Sequence, residues 1–392
     1  MNTNNQGIEF YSTQSINQED KDSVLEALSS GVLSRGPKIK EFEKALGDYC
    51  KNPKVLAVNS ATSALQLAYQ VNGISKNSIV WASPLTFVAT INAAVHFGAD
   101  VDFVDIDPFT LNICPKMLKR KLEEAKTISG LPDFVTIVHF GGNPCDLEEI
   151  FKLSKIYNFC VIEDASHALG ANYHGSQIGS NKFSDSSVFS FHPVKMITTG
   201  EGGALFVKTE EQLERATKLR SHGIEKQTTK SENKEFEWYY EQTELGYNFR
   251  MSEIQAALGK SQMDRLEYFV RKRNYLASLY KDRLSKVPLK LQTVDPNSLS
   301  SYHLFTVEIT DPRFSRNLLY KYLKNYKIGC QVHYIPVHLQ PFYKNKGFSA
   351  GQFENAELYY KSCLSIPLHQ GLNEDDIEIV CEKLFSFFNR DC

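Results

Sequence analysis

The sequence lacks any apolar run approaching the length a membrane-spanning helix needs. It also lacks a surplus of charge. Forty-four Lys and Arg face 46 Asp and Glu, a formal net charge of -2, so no global basic field draws the chain to nucleic acid. None of its eight cysteines forms a C-x-x-C pair. At this length a disulfide framework is not expected, and the thiols read as reduced and mostly buried in a cytoplasmic protein. No signal-peptide pattern opens the chain; Met1-Asn2-Thr3-Asn4-Asn5-Gln6 is polar and is expected to fray. No G-x-G-x-x-G follows the first apolar run, which argues against a nicotinamide dehydrogenase. Gln331-Val332-His333-Tyr334 and His338 gather histidines without a matching acid or cysteine set, so metal is not expected. Internal repeats and low-complexity segments are missing too.

What is present is an ordinary globular composition, 42% hydrophobic and 23% charged, over 392 residues, a length suited to two domains. Short apolar runs at Val55–Val58, Ile79–Ala82, Val101–Val104, Phe134–Val138, Phe159–Glu163, Ser187–Phe191 and Ala204–Val207 predict strands buried on both faces. Helical patterns separate them. Asp146-x-x-Glu149 and Thr209-x-x-Gln212 have capping-box spacing, and Pro115 suits a first helical turn. The alternation predicts an α/β fold with a seven-stranded, mainly parallel sheet. Near Ser252-x-x-Gln255 the pattern changes to a long helical stretch reaching about Leu284. Strands follow around 288–292, 302–309 and 328–334, with helices near 313–326 and 373–388. The division expected is 1–250, a large domain with an N-terminal arm, and 251–392, a small α+β domain. Residues 225–242 show no period and read as an excursion.

Ligands of open α/β sheets bind beyond the carboxyl ends of the strands. Three segments fall there. Asp164 follows the Phe159–Glu163 run, Lys195 lies four residues past Phe191, and Ser60-Ala61-Thr62-Ser63 follows Val58 and starts a helix. A lysine amine and a carboxylate on one rim point to pyridoxal phosphate, which needs an amine to hold it as a Schiff base and an acid to keep its ring nitrogen protonated. The competing readings are a surface lysine and an Asp that caps a helix. His167 could brace the ring's phenolic oxygen, orient Asp164, or be structural. Small residues at a helix start expose N–H groups to phosphate, with Ser190 as a further hydroxyl. Phe87 could stack on the ring or belong to the core. Gly246 to Met251 has the look of a turn entering the long helix.

Asn59 to Leu65, Glu163 to Gly170, Ser190 to Gly203 and Gly246 to Met251, in this order, resemble the DegT/DnrJ/EryC1/StrS family of sugar aminotransferases from about Phe10 to the C-terminus. The resemblance implies the fold-type I architecture of pyridoxal phosphate enzymes. It implies Lys195 as the Schiff-base lysine, Asp164 as the ring-nitrogen partner and His167 near the ring. Ala61, Thr62 and Ser190 match phosphate contacts, and Phe87 the stacking aromatic. Asn248 matches an asparagine that reaches the neighbouring subunit's cofactor, implying a homodimer with shared sites. Relatives with His in place of the lysine perform dehydration, and Lys195 argues against that branch. His192 before the lysine points to sugar C4, where C3-acting relatives tend to carry Tyr.

The members most alike in motif act on a UDP-linked 4-keto-6-deoxy amino sugar on the way to pseudaminic-acid-type glycans. L-Glutamate is the expected donor, and pyridoxamine phosphate the intermediate form of the cofactor. Tyr11, Leu33, Ser34, Ser60, His192, Gln331, His333 and Tyr334 are the candidate sugar or nucleotide contacts. His139-Phe140-Gly141-Gly142 and the 225–242 excursion depart from that group. A different dTDP-, UDP- or GDP-keto-sugar, or a non-catalytic regulator on the same fold, are the alternative expectations.

Overall fold

The computed structural model describes residues 7–127, 130–226 and 238–389. The polar opening, expected to fray, and residues 227–237 of the expected excursion lie outside them. Ile224–Lys226 and Tyr240–Gln242 pair as antiparallel strands.

The central sheet has seven strands: β1 (Val55–Val58), β2 (Ile79–Ala82), β3 (Asp100–Phe103), β4 (Phe134–Val138), β5 (Cys160–Asp164), β6 (Ser186–Ser190) and β7 (Gly203–Val207). Their order is β1-β7-β6-β5-β4-β2-β3. From β6 to β3 every pairing is parallel, whereas β7 runs antiparallel to both of its neighbours. Every residue of β1, β4 and β7 is buried, as expected for apolar strands covered on both sides. Side chains alternate between two cores. Ala204 and Phe206 join Phe42, Leu118 and Ile150 on one face, while Leu205 and Val207 join Leu65, Tyr69 and Ile91 on the other.

Four strands, β3, β5, β6 and β7, differ by one residue from the expected bounds, because apolar content does not mark where pairing starts or stops. Asp100 pairs with Ile79 and Asp164 with Val138, so a polar residue opens one ladder and another closes the next. Asp164 is therefore the last residue of β5. Capping boxes form at Thr209/Gln212 and Ser252/Gln255, and Asp146 accepts from the Glu149 N–H. Pro115 opens its helix.

The stretch expected as one long helix is two, Glu253–Met263 and Leu266–Leu284. The break falls where the Gln262 and Arg265 side chains both turn to the buried Asp20 carboxylate. Met263, Leu266, Phe269 and Val270 still pack in the first core. A third core begins at Leu276 and joins Tyr280, Val307, Leu323, Leu364 and Val380. It covers an antiparallel sheet of Leu289–Leu291, Phe305–Ile309 and Cys363–Ile366. The strand expected at 328–334 is only a single bridge, Gln331 to Ser365, and Pro336 shortly after offers no donor to extend it.

Candidate active site

A cavity of about 310 Å³ opens at the carboxyl ends of the parallel strands. Topology explains why. Val58, Val138, Asp164 and Ser190 end β1, β4, β5 and β6 at this rim, and the reversed β7 starts there with Gly203. At one end of the cavity the Ala61–Val71 helix begins. Ser60 is its N-cap: the hydroxyl accepts from the Ser63 N–H at 3.1 Å. The Ala61 and Thr62 N–H groups belong to the first turn and have no carbonyl within the helix to bond. Ala61, Thr62 and Ser190 all line the cavity. Gly203 keeps this helix start open, since a Cβ there would stand 2.6 Å from the Ala61 nitrogen.

Asp164 lines the same cavity and is buried. Its Oδ2 accepts from the Thr90 hydroxyl at 2.6 Å, and Oδ1 accepts from the Ser166 N–H at 3.1 Å and hydroxyl at 2.5 Å. Thr90 is in turn 2.7 Å from the Thr86 hydroxyl. Asp164 caps no helix; it is a carboxylate held by three donors, the form in which it can face a cation. Lys195 is half-buried. Burial lowers its amine from 10.5 to about 8, with Asp164 opposing the fall.

His167 is buried beside them. Its Nδ1 accepts from the Gly141 N–H at 3.3 Å, and its Nε2 is 3.1 Å from the Tyr334 hydroxyl. Burial first, then Lys195 and His333, hold its pKa well below 6.5. The ring is therefore neutral, with its proton on Nε2. His333 lies 2.8 Å from the Ser365 hydroxyl and is pushed down to about 3 by burial and then by Lys195.

Of the residues singled out in sequence, Tyr11, Ser60, Ala61, Thr62, Phe87, Asp164, His167, Ser190, His192, Lys195, His333 and Tyr334 share this cavity. Phe87 is no core residue; it is 59% exposed. Leu33, Ser34, Gln331 and Asn248 do not line it. Leu33 and Ser34 lie on an exposed bend, where the Leu33 carbonyl accepts from the Glu253 N–H. Gln331 is bridged to Ser365, and its side chain turns back to the Val332 N–H. Asn248 is bridged to Ser221. His139 of the departing His139-Phe140-Gly141-Gly142 string is fully buried and bonds Glu163 at 2.7 Å behind β5.

Sequence reasoning missed Thr86, Thr90, Ser166 and His303. Thr86 and Thr90 stand four apart, a helical spacing that could have flagged them. His303 sits in no motif, yet it lines the cavity with its ring 4.4 Å from that of His167 and with Nδ1 unpartnered.

A larger groove of about 1040 Å³ runs past Arg35, Lys218, Arg220 and Arg250, but it holds neither the lysine nor the carboxylate. Both line the smaller cavity. An anion seat at a helix start, a held carboxylate and an amine beside it fit pyridoxal phosphate, because each charged or reactive part of that molecule meets its complement.

Comparison with known proteins agrees. Residues 14–385 match the DegT/DnrJ/EryC1/StrS aminotransferase family. A UDP-4-amino-4,6-dideoxy-N-acetyl-beta-L-altrosamine transaminase of Campylobacter jejuni is 40% identical over 384 residues, 97% of each chain. The solved structure of Helicobacter pylori PseC, an aminotransferase involved in the biosynthesis of pseudoaminic acid, superposes with a TM-score of 0.86 at 31% identity, covering 96% of this chain and 98% of that one. A putative sugar aminotransferase from Streptococcus pneumoniae in its PMP form gives 0.87 at 27% identity, with 96% and 98% covered.

Proposed function

The chain belongs to the DegT/DnrJ/EryC1/StrS aminotransferase family, and we propose that it moves an amino group from L-glutamate to C4 of a UDP-linked 4-keto-6-deoxy amino sugar. The cofactor is pyridoxal phosphate, and the product feeds a pseudaminic-acid-type surface glycan. The observation that carries this reading is the single cavity shared by the Lys195 amine, the Asp164 carboxylate and the open helix start at Ala61. The Campylobacter and Helicobacter relatives support the choice of sugar.

Ala61, Thr62 and Ser190 hold the cofactor's phosphate, Asp164 its ring nitrogen and His167 its phenolic oxygen, with Phe87 on the ring face. When bound, the cofactor supplies a cationic ring that accepts the electron pair left when a C–H bond beside nitrogen breaks. Lys195 would hold the cofactor through Nζ, and its free amine would take and return the substrate proton at that same atom. A value of about 8 lets a useful fraction of the amine be neutral near neutral pH, where an ordinary lysine is almost wholly protonated. Tyr11, Ser60, His192, His333 and Tyr334 contact the sugar or its nucleotide. Asn248, outside its own chain's cavity, serves the site of a neighbouring subunit in a homodimer. No helix among the described residues is long and apolar enough to cross a membrane, and we read the protein as cytoplasmic.

Incubating the purified protein with glutamate and a panel of nucleotide 4-keto-6-deoxy sugars, read by mass, tests the proposal. The expected result is a 4-amino product from the UDP-linked N-acetyl sugar and 2-oxoglutarate in equal amount. A protein that takes up no pyridoxal phosphate, or that aminates none of the panel, refutes it.

A further inference from the structure

Arg273 lies on the Leu266–Leu284 helix and is fully buried. Among the described residues it has no carboxylate in an ion pair. Its guanidinium donates instead to five neutral acceptors. Nε reaches Gln370 Oε1 at 3.2 Å, and Nη1 reaches the carbonyls of Tyr302 at 3.1 Å, His303 at 3.2 Å and Leu368 at 2.7 Å. Nη2 reaches the Ser12 hydroxyl at 3.2 Å. That hydroxyl donates onward to the Val194 carbonyl at 2.9 Å, one residue before Lys195.

A buried cation without a counter-charge is costly, and five hydrogen bonds are what makes it tolerable. Packing alone would be served better by an apolar side chain. The location gives the cost a purpose. Three of the segments joined by this one guanidinium carry cavity residues: Tyr11 precedes Ser12, His303 follows Tyr302, and Lys195 follows Val194. Tyr302 has φ +49°, a left-handed conformation that a bulky side chain rarely adopts. The paired bonds to its carbonyl and the next one hold that bend.

We propose that Arg273 is a positioning residue of the active site: it fixes the segments bearing Tyr11, His303 and Lys195 relative to one another, without itself lining the cavity. Ser12 is the link by which it reaches the lysine. The inference rests on the aminotransferase reading of the cavity, so its test includes a readout that needs no turnover.

Ser12→Ala cuts only the link, and Arg273→Lys keeps the charge but cannot fork to carbonyls and hydroxyl together. Tyr280→Phe is the control. It removes the buried bond from the Tyr280 hydroxyl to the Pro367 carbonyl, 2.9 Å, on the same helix and away from the cavity. Amide hydrogen exchange of the intact protein should quicken at residues 194–196 in both Ser12→Ala and Arg273→Lys, at 302–304 in Arg273→Lys alone, and at neither in Tyr280→Phe. With glutamate and the keto sugar, Ser12→Ala should keep its unfolding midpoint close to that of the wild type while kcat falls about tenfold. Arg273→Lys should lose more and also raise the KM for the sugar. Ser12→Ala decides the matter if Arg273→Lys does not fold. Unchanged exchange at 194–196 in Ser12→Ala, or equal losses in Tyr280→Phe, would overturn the proposal. An inactive wild type that still shows the exchange pattern would refute the aminotransferase reading and leave the positioning role standing.

Discussion

Replacing Lys195 with Met changes stability in a way that only pH reveals. The amine ordinarily titrates at 10.5, and burial lowers it to about 8 against the pull of Asp164. Between those values the unfolded chain binds a proton that the folded chain does not, so stability rises with pH across the window. Below about 8 the folded protein carries the whole penalty of a buried ammonium; above 10.5 it carries none. At roughly 1.4 kcal/mol per pH unit this amounts to about 3 kcal/mol. Water reaching the half-buried amine screens part of it, leaving about 2 kcal/mol as the expected effect. Lys195→Met removes the titrating group and keeps the apolar stem. Urea unfolding of the two cofactor-free proteins, repeated from about pH 7 to about pH 11, gives the difference between them. His167, His303 and His333 feel the Lys195 charge, but burial, the larger influence on each, keeps them neutral in both proteins over this range, so the other groups cancel. The Met variant should gain most at neutral pH and lose about 2 kcal/mol of that advantage by the alkaline end, whatever constant offset its packing adds. A difference flat across the range refutes the buried, incompletely compensated amine.

Three further outcomes are expected. Gly203→Ala should fold, but its Cβ pushes on the Ala61 nitrogen from 2.6 Å and displaces the helix start, weakening pyridoxal phosphate binding at least about tenfold in an absorbance titration. Thr90→Val leaves Asp164 Oδ2 without its 2.6 Å donor and should cost about 1–3 kcal/mol in chemical unfolding, the range for a buried charged acceptor losing a partner. Asp164→Asn removes the one charge that supports protonation of Lys195. The amine's midpoint in labelling by an acylating reagent should therefore fall below the wild-type value.

Much of the fold was legible because the sheet is covered on both faces. Strands such as β1, β4 and β7, with almost nothing polar in them, can only be buried, and the sheet's rim locates Asp164, Lys195 and Ala61 before any side chain is placed. Helix starts were legible where a side chain closes its own cap, as at Ser252 and Thr209. The break at Asp264–Arg265 was not, since its cause is Asp20, more than 240 residues away in sequence. The same holds for the Cys363–Ile366 strand, a four-residue run whose partner comes from Phe305–Ile309. His303 and Arg273 stayed hidden for a related reason. Neither has a local pattern, and each acquires meaning only from what distant segments bring beside it.

The electrostatics of the cavity follow from that convergence. Burial is the largest influence on His167, His303 and His333, and the Lys195 charge comes next for each. Arg273 adds to the pressure on His303. All three rings are thereby kept neutral, and Tyr334, raised by burial and then by Tyr11 and Asp164, stays a phenol. The Gly141 N–H fixes the proton of His167 on Nε2, which makes His167 a donor toward Tyr334 and sets the direction of this polar wall. Charge at the cavity is thus left to Asp164, Lys195 and the exposed Glu201. A proton that arrives at Lys195 Nζ meets no competing base among these histidines, and a proton that leaves it is not replaced from them. In the transamination we propose, that neutral wall would let a single lysine serve both directions of a reversible proton transfer.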